Sequence, residues 1–181
     1  LLGLRARQLA SGFMGNSEHA DYYHANKVVL LQEMLENNPD NYLIFHNYVP
    51  ELELILSAAE DLGYNIDIYN GANKSLDHFR KSKGVAGEKN LLVANIASGS
   101  AALNLQKYHY VLFFALPDVF KDYSQGIGRI ERIGQKAKEV TVINFVTKGT
   151  VEEKVWDSLK IGQSYTNKML ERDLIWREFK D

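Results

Sequence analysis

Gln125, Arg129 and Arg132 are spaced i, i+4 and i+7. On a helix this puts all three on one face, with Ile127 and Ile130 turned the other way, toward a core. Guanidinium is planar, permanently charged and forked, so it suits phosphate oxygens. Two such groups one turn apart, beside a glutamine amide, could hold a polyphosphate or stabilise the charge of its transition state. Taken alone, the spacing also describes a solvated helix face. Gly126 and Gly128 bear on the choice. Each costs about 1 kcal/mol relative to alanine inside a helix, and is explained if a ligand or another backbone comes close.

A site of this kind needs a rigid frame. Five β-rich runs recur, at 42–45, 65–69, 91–94, 110–114 and 140–145. Most are continuously apolar rather than alternating, as in parallel strands buried on both faces. Helical patterns lie between several of them. Pro50 opens one, with Glu51 and Glu53 near the positive end of the dipole and Leu52, Ile55, Leu56, Ala59 and Leu62 at helical spacing before Gly63. A second helix is expected over 74–83. Thr150 with Glu153 reads as a capping box starting a third, whose Val151, Val155 and Leu159 face inward. Strand–helix alternation implies an α/β domain with right-handed crossovers. The expected division is a helical lead-in over 1–38, the α/β domain over 39–160 and a helical extension over 161–181, broken near Gly162.

Composition narrows the function. The chain has 181 residues, 45% hydrophobic and 24% charged, enough for one domain with a real core. It has no cysteine, which excludes disulfides and thiolate metal sites and fits a reducing, intracellular setting. Its five histidines lack metal-ligand spacing, so no metal site is expected. No apolar run approaches the roughly 20 residues of a membrane span. The start, Leu1-Leu2-Gly3-Leu4, reads as the middle of a longer protein. Net charge is −2, but lysines and arginines cluster locally, at Lys74, Arg80, Lys81, Lys83 and Lys89 and again at Lys121, Arg129, Arg132, Lys136 and Lys138. Such patches can follow a phosphate backbone, or be ordinary solvated helices.

Gln125, Arg129, Arg132, Gly134 and Gln135 together match the pattern Gln-x-x-x-Arg-x-x-Arg-x-Gly-Gln, and so this segment resembles motif VI of superfamily 2 helicases in the form used by Swi/Snf-type DNA translocases. Other segments agree in order. The strand ending in His46, Asn47 and Tyr48 is similar to motif IV, and the turn around Asn70, Gly71 and Lys74 to the one that follows the next strand. The strand at 91–94, followed by Ser98, Gly99, Ser100 and then Asn104-Leu105, resembles motif V. There the family's Gly-Gly is Ser98-Gly99, and the glycine before the asparagine is Ala101 or Ala102. The family's acidic residue and Trp-Asn-Pro are absent and Phe114-Ala-Leu-Pro-Asp118 stands in their place.

The resemblance covers about residues 27–160 and implies a RecA-like, P-loop NTPase-type three-layer domain with a mainly parallel sheet, the second of two such domains in a DNA-dependent ATPase. It implies that Arg129 and Arg132 are arginine fingers reaching the γ-phosphate of ATP, with Gln125 beside them and Gly128 and Asn104 in the nucleotide site. It also implies that Asn47, Gly71, Lys74, Ser98, Gly99 and Ser100 contact duplex DNA. The chain has no Gly-x-x-x-x-Gly-Lys-Ser/Thr loop. ATP and Mg²⁺ are therefore expected mainly on an N-terminal RecA-like domain of the same protein, and the isolated chain is expected to be an inactive monomer. Two other readings stay open. One is a non-catalytic nucleic-acid or protein interaction module on the same fold. The other, a dinucleotide-binding oxidoreductase, is disfavoured because Gly126-x-Gly128 does not directly follow a strand.

Overall fold

The computed structural model describes residues 2–16, 18–99, 105–130, 139–170 and 172. Five strands form a parallel sheet in the order β4-β5-β3-β6-β7: β3 (Asn41–His46), β4 (Asn65–Tyr69), β5 (Asn90–Asn95), β6 (Tyr110–Phe113) and β7 (Thr141–Asn144). Each lies within a residue or two of an apolar run in the sequence. Central β3 is buried along its whole length, as a strand covered on both faces must be.

Side chains alternate between two cores. Tyr42, Ile44, Leu91, Val93, Leu112 and Phe114 meet Leu31 and Leu35 of α2 (Asn26–Asn37) and Ile55, Ala58 and Ala59 of α3 (Val49–Ala59). On the other face Leu43, Phe45, Leu92, Ala94, Val111 and Phe113 meet Phe79 of α4 (Asp77–Lys81) and Val155 and Leu159 of α7 (Val151–Lys160). Tyr165 and Leu170 join that second core. The architecture is the expected three-layer α/β fold.

Local departures have physical causes. The segment 1–38, expected as a helical lead-in, also contains a hairpin, β1 (Phe13–Gly15) with β2 (Ala20–Tyr22), between α1 (Leu2–Ala10) and α2. Asn16 makes its turn, accepting from the N–H groups of Glu18 and His19 through Oδ1. The helix expected over 74–83 is shorter, because Lys74 instead bridges back to Tyr69. The helix carrying Gln125, α6 (Phe120–Ile127), stops before Arg129. Thr150 caps α7 as read, but the reciprocal box does not close: Thr150 Oγ1 accepts from the Glu152 N–H at 3.2 Å rather than from Glu153, and Glu153 Oε2 accepts from the Gly149 N–H at 3.0 Å rather than from Thr150. At the other end of α7, Gly162 turns the chain at φ 74°.

Candidate functional site

In a parallel sheet everything that follows a strand emerges at one edge. Adjacent strands β4, β5 and β3 deliver to that edge residues 70–74, α5 (Ile96–Gly99) and residues 47–48 respectively. Asn47, Gly71, Lys74, Ser98 and Gly99, separate in sequence, thus share the carboxyl edge of the sheet. Ser100, Asn104 and Arg132 lie outside the described residues.

The half-buried Asn47 joins two loops. Its Nδ2 donates to the Leu116 carbonyl at 2.9 Å, while its own carbonyl accepts from Asn95 Nδ2 at 3.0 Å. Its N–H and that of Tyr48 donate to Glu51 Oε2 at 2.8 and 3.0 Å, and Ser11 Oγ donates to Glu51 Oε1 at 2.6 Å. Glu51 is wholly buried, and that burial pushes its carboxyl above the usual range despite these donors. In the sequence it reads only as a helix-dipole acid. In the structure it fixes the end of β3. The neighbouring His46 is also buried, and its Nδ1 lies 3.0 Å from the Tyr48 carbonyl. Desolvation lowers its pKa, which favours a neutral ring with Nδ1–H donating.

The 70–74 loop is built by asparagines. Asn70 Oδ1 accepts from the N–H groups of Ala72 and Asn73 at 2.9 and 2.7 Å, and the Asn70 N–H donates to the Asn73 carbonyl at 2.7 Å. A side chain at Gly71 would meet nothing within 4 Å, so the turn's shape comes from Asn70 rather than from the glycine. Gly71, at its tip, and Lys74, at its base, are both exposed.

The arginine segment differs from one continuous helix. After Ile127, the N–H groups of Arg129 and Ile130 bond to the carbonyls of Gly126 and Ile127, three residues back, at 3.4 and 3.0 Å. The coil tightens there and shifts Arg129 from the regular i+4 position relative to Gln125. Ile130 is fully buried and Ile127 lines the core, as their spacing suggests. Gly126 has a packing role: a Cβ there would lie 3.0 Å from Phe45 Cε2 and 3.1 Å from Phe113 Cζ, the stacked aromatic pair of the sheet. The Arg129 carbonyl accepts from the Leu105 N–H at 3.1 Å, and α5 lies against α6. α5 and Leu105, on either side of residues 100–104, are therefore neighbours of α6 and Arg129.

Behind this edge lies a polar network the sequence does not reveal. Lys27 of α2 donates to Glu152 Oε1 at 2.5 Å and to the Phe114 carbonyl at 2.8 Å, and Glu152 Oε2 accepts from the Thr147 N–H at 2.7 Å. Both side chains are buried. Arg7 of α1 pairs with Asp118, and Thr147 Oγ1 donates to the Ala10 carbonyl at 2.7 Å. The first helix and the loops after β6 and β7 are thereby tied together. Among the described residues, no group of three His, Asp or Glu gathers in a way that could hold a metal ion.

Comparison with known proteins gives the family and the fold. Residues 26–134 match the model of the helicase conserved C-terminal domain. The chain is 28% identical over 185 residues to the human transcriptional regulator ATRX, covering 86% of this chain and 7% of that protein. It is 27% identical over 164 residues to the ATP-dependent RNA helicase RhlB of Vibrio atlanticus, covering 77% of this chain and 36% of that one. The chain thus spans little more than a third, or less, of these relatives. The crystal structure of the C-terminal part of the Fun30 ATPase domain superposes with a TM-score of 0.67 at 21% identity, over 84% of this chain and 54% of that chain, and shares the fold.

Proposed function

The chain belongs to the helicase conserved C-terminal domain family, and from that premise we propose that it is the second RecA-like half of an ATP-driven motor on duplex DNA. ATP and Mg²⁺ would bind mainly to the phosphate loop of a first RecA-like domain. This chain would supply Arg129 and Arg132 from across the cleft, with Gln125 beside them and Gly128 and Asn104 lining the nucleotide. Their forked cations would neutralise charge developing on the transferred phosphoryl oxygens, an effect worth about 10³–10⁵ in rate where such fingers have been dissected. The loops at Asn47, 71–74 and 98–100 would hold the DNA backbone. ATP bridging the two domains favours closure, hydrolysis removes the bridge, and alternating grips would advance the protein along the duplex.

One observation carries the reading: adjacent strands bring three loops, distant in sequence, to the same sheet edge, and α5 and α6 meet there. Open α/β sheets bind ligands at the carboxyl ends of their strands. The similarity to a protein named an RNA helicase makes RNA the natural second substrate to assay.

The test is ATP turnover by the full-length protein with and without duplex DNA or RNA. Arg132→Ala is expected to abolish stimulated turnover while ATP binding is retained. Turnover at the wild-type rate in that variant contradicts the finger assignment. The purified 181-residue chain is expected to hydrolyse no ATP, and measurable turnover by it would contradict the division of labour between two domains.

A further inference from the structure

Asp67 is fully buried in the edge strand β4, an unusual position for a carboxylate. It accepts three hydrogen bonds. Ser75 Oγ donates to Oδ1 at 2.9 Å, His78 Nδ1 lies 3.1 Å from the same oxygen, and the Phe79 N–H donates to Oδ2 at 2.7 Å. An ionised carboxylate can only accept, so His78 carries its proton on Nδ1 here. Burial raises the Asp67 pKa, but the bonds from Phe79, Ser75 and His78 outweigh it and hold the group ionised below the ordinary carboxylate range.

An inward-pointing charge on an edge strand can serve merely to discourage strand addition. The partners of Asp67 argue for a more specific role. All three come from residues 75–79, the segment that leaves the 70–74 loop. The loop's returning stem is also pinned to β4: Lys74 bridges Tyr69, and the Ser75 N–H donates to the Ile68 carbonyl at 3.0 Å. Ser75, directly after Lys74, is thus fixed both by its backbone to β4 and by its hydroxyl to Asp67. Gly71 at the tip and Lys74 at the base of the loop remain exposed.

We propose that Asp67 is a positioning residue: its carboxylate folds 75–79 back onto β4 and so aims Lys74, at the base of the loop, and the 71–73 tip at a nucleic-acid phosphate. The inference rests on the function proposed above and adds the element that orders one of its grips. Asp67 touches no phosphate itself and acts through Lys74.

The test uses the full-length protein and compares Asp67→Asn, Lys74→Ala and the double variant. Duplex DNA affinity is titrated against salt, and amide exchange is followed across 70–79. Asp67→Asn is expected to speed exchange in 70–79 and weaken DNA binding. Lys74→Ala is expected to weaken binding and lower the salt slope by about 0.9, one phosphate contact. The double variant should bind no more weakly than the weaker single variant, because both lesions disable one contact. Unchanged exchange in Asp67→Asn overturns the ordering role. Faster exchange with unchanged affinity, while Lys74→Ala alone still weakens binding, overturns the positioning role and leaves the DNA reading intact. Unchanged affinity and salt slope in Lys74→Ala overturns the grip itself and the positioning role with it. Additive losses also overturn the proposal, since Asp67 would then act elsewhere. If Asp67→Asn does not fold, Ser75→Ala with His78→Ala removes two of the three donors and is held to the same outcomes.

Discussion

The two ends of the sheet use the same residue type in opposite ways. At the amino ends, Asn41, Asn90 and Asn65 stand in register across three adjacent strands. Asn90 Nδ2 donates to Asn41 Oδ1 at 2.7 Å, and Asn65 Nδ2 donates to Asn90 Oδ1 at 3.1 Å. Asn41 Nδ2 completes the ladder on the Val85 carbonyl at 3.1 Å. The amides satisfy one another and close that edge. At the carboxyl ends, Asn47, Asn70 and Asn95 bond instead to backbone groups of loops, as Lys27 does. One end spends its polar groups on strand register. The other spends them on loop shape, and the loops it shapes carry every described candidate nucleic-acid contact. Identical amides therefore say little about function until their partners are known.

Breaking the carboxyl edge should cost activity, and breaking the amino edge should cost stability. The largest effect is expected from Arg129→Ala in the full-length protein, a fall in stimulated ATP turnover of at least about 10³-fold. Adding Arg132→Ala should lower it little further if the two act as a unit. Next is the buried Lys27–Glu152 pair. Glu152→Ala leaves Lys27 without its carboxylate and is expected to cost about 3–5 kcal/mol in denaturant unfolding. This lesion sharpens the comparison, since it lies behind the carboxyl edge yet should act through stability. Asn90→Ala breaks the ladder in its middle and is expected to cost about 1–3 kcal/mol, read by the same unfolding measurement.

The smallest effect concerns pH. Asp67 has a lowered pKa, so the stability it contributes is present above the unfolded-state value of about 3.9 and is lost as pH falls through the folded value. The unfolding free-energy gap between wild type and Asp67→Asn should therefore be constant near neutrality and shrink in acid. A gap that widens on acidification would contradict the assignment.

The sheet was legible because a strand buried on both faces writes itself as a continuous apolar run, and all five runs became strands. The cap at Thr150 was legible because it is local chemistry. The hairpin at 13–22 was not, since strands of three residues carry too little pattern. The break after Ile127 was hidden by a helical period that continues through the glycines. Gly126, read as room for a ligand or backbone, instead admits the aromatic rings of Phe45 and Phe113. The network behind the site was beyond any local reading: Lys27 and Glu152 are 125 residues apart in sequence. For the site, the regular spacing that set Gln125 beside Arg129 does not survive the break after Ile127, and the proposed finger role and DNA contacts came from family resemblance, not from the residues.

One paired measurement bears most directly on the account: nucleic-acid-stimulated ATP turnover per folded molecule, with the unfolding midpoint, for Arg132→Ala and Asn90→Ala of the full-length protein. The account predicts that Arg132→Ala loses turnover and keeps its midpoint, while Asn90→Ala keeps turnover and loses stability. Wild-type turnover in Arg132→Ala, or loss of turnover in folded Asn90→Ala alone, would contradict it.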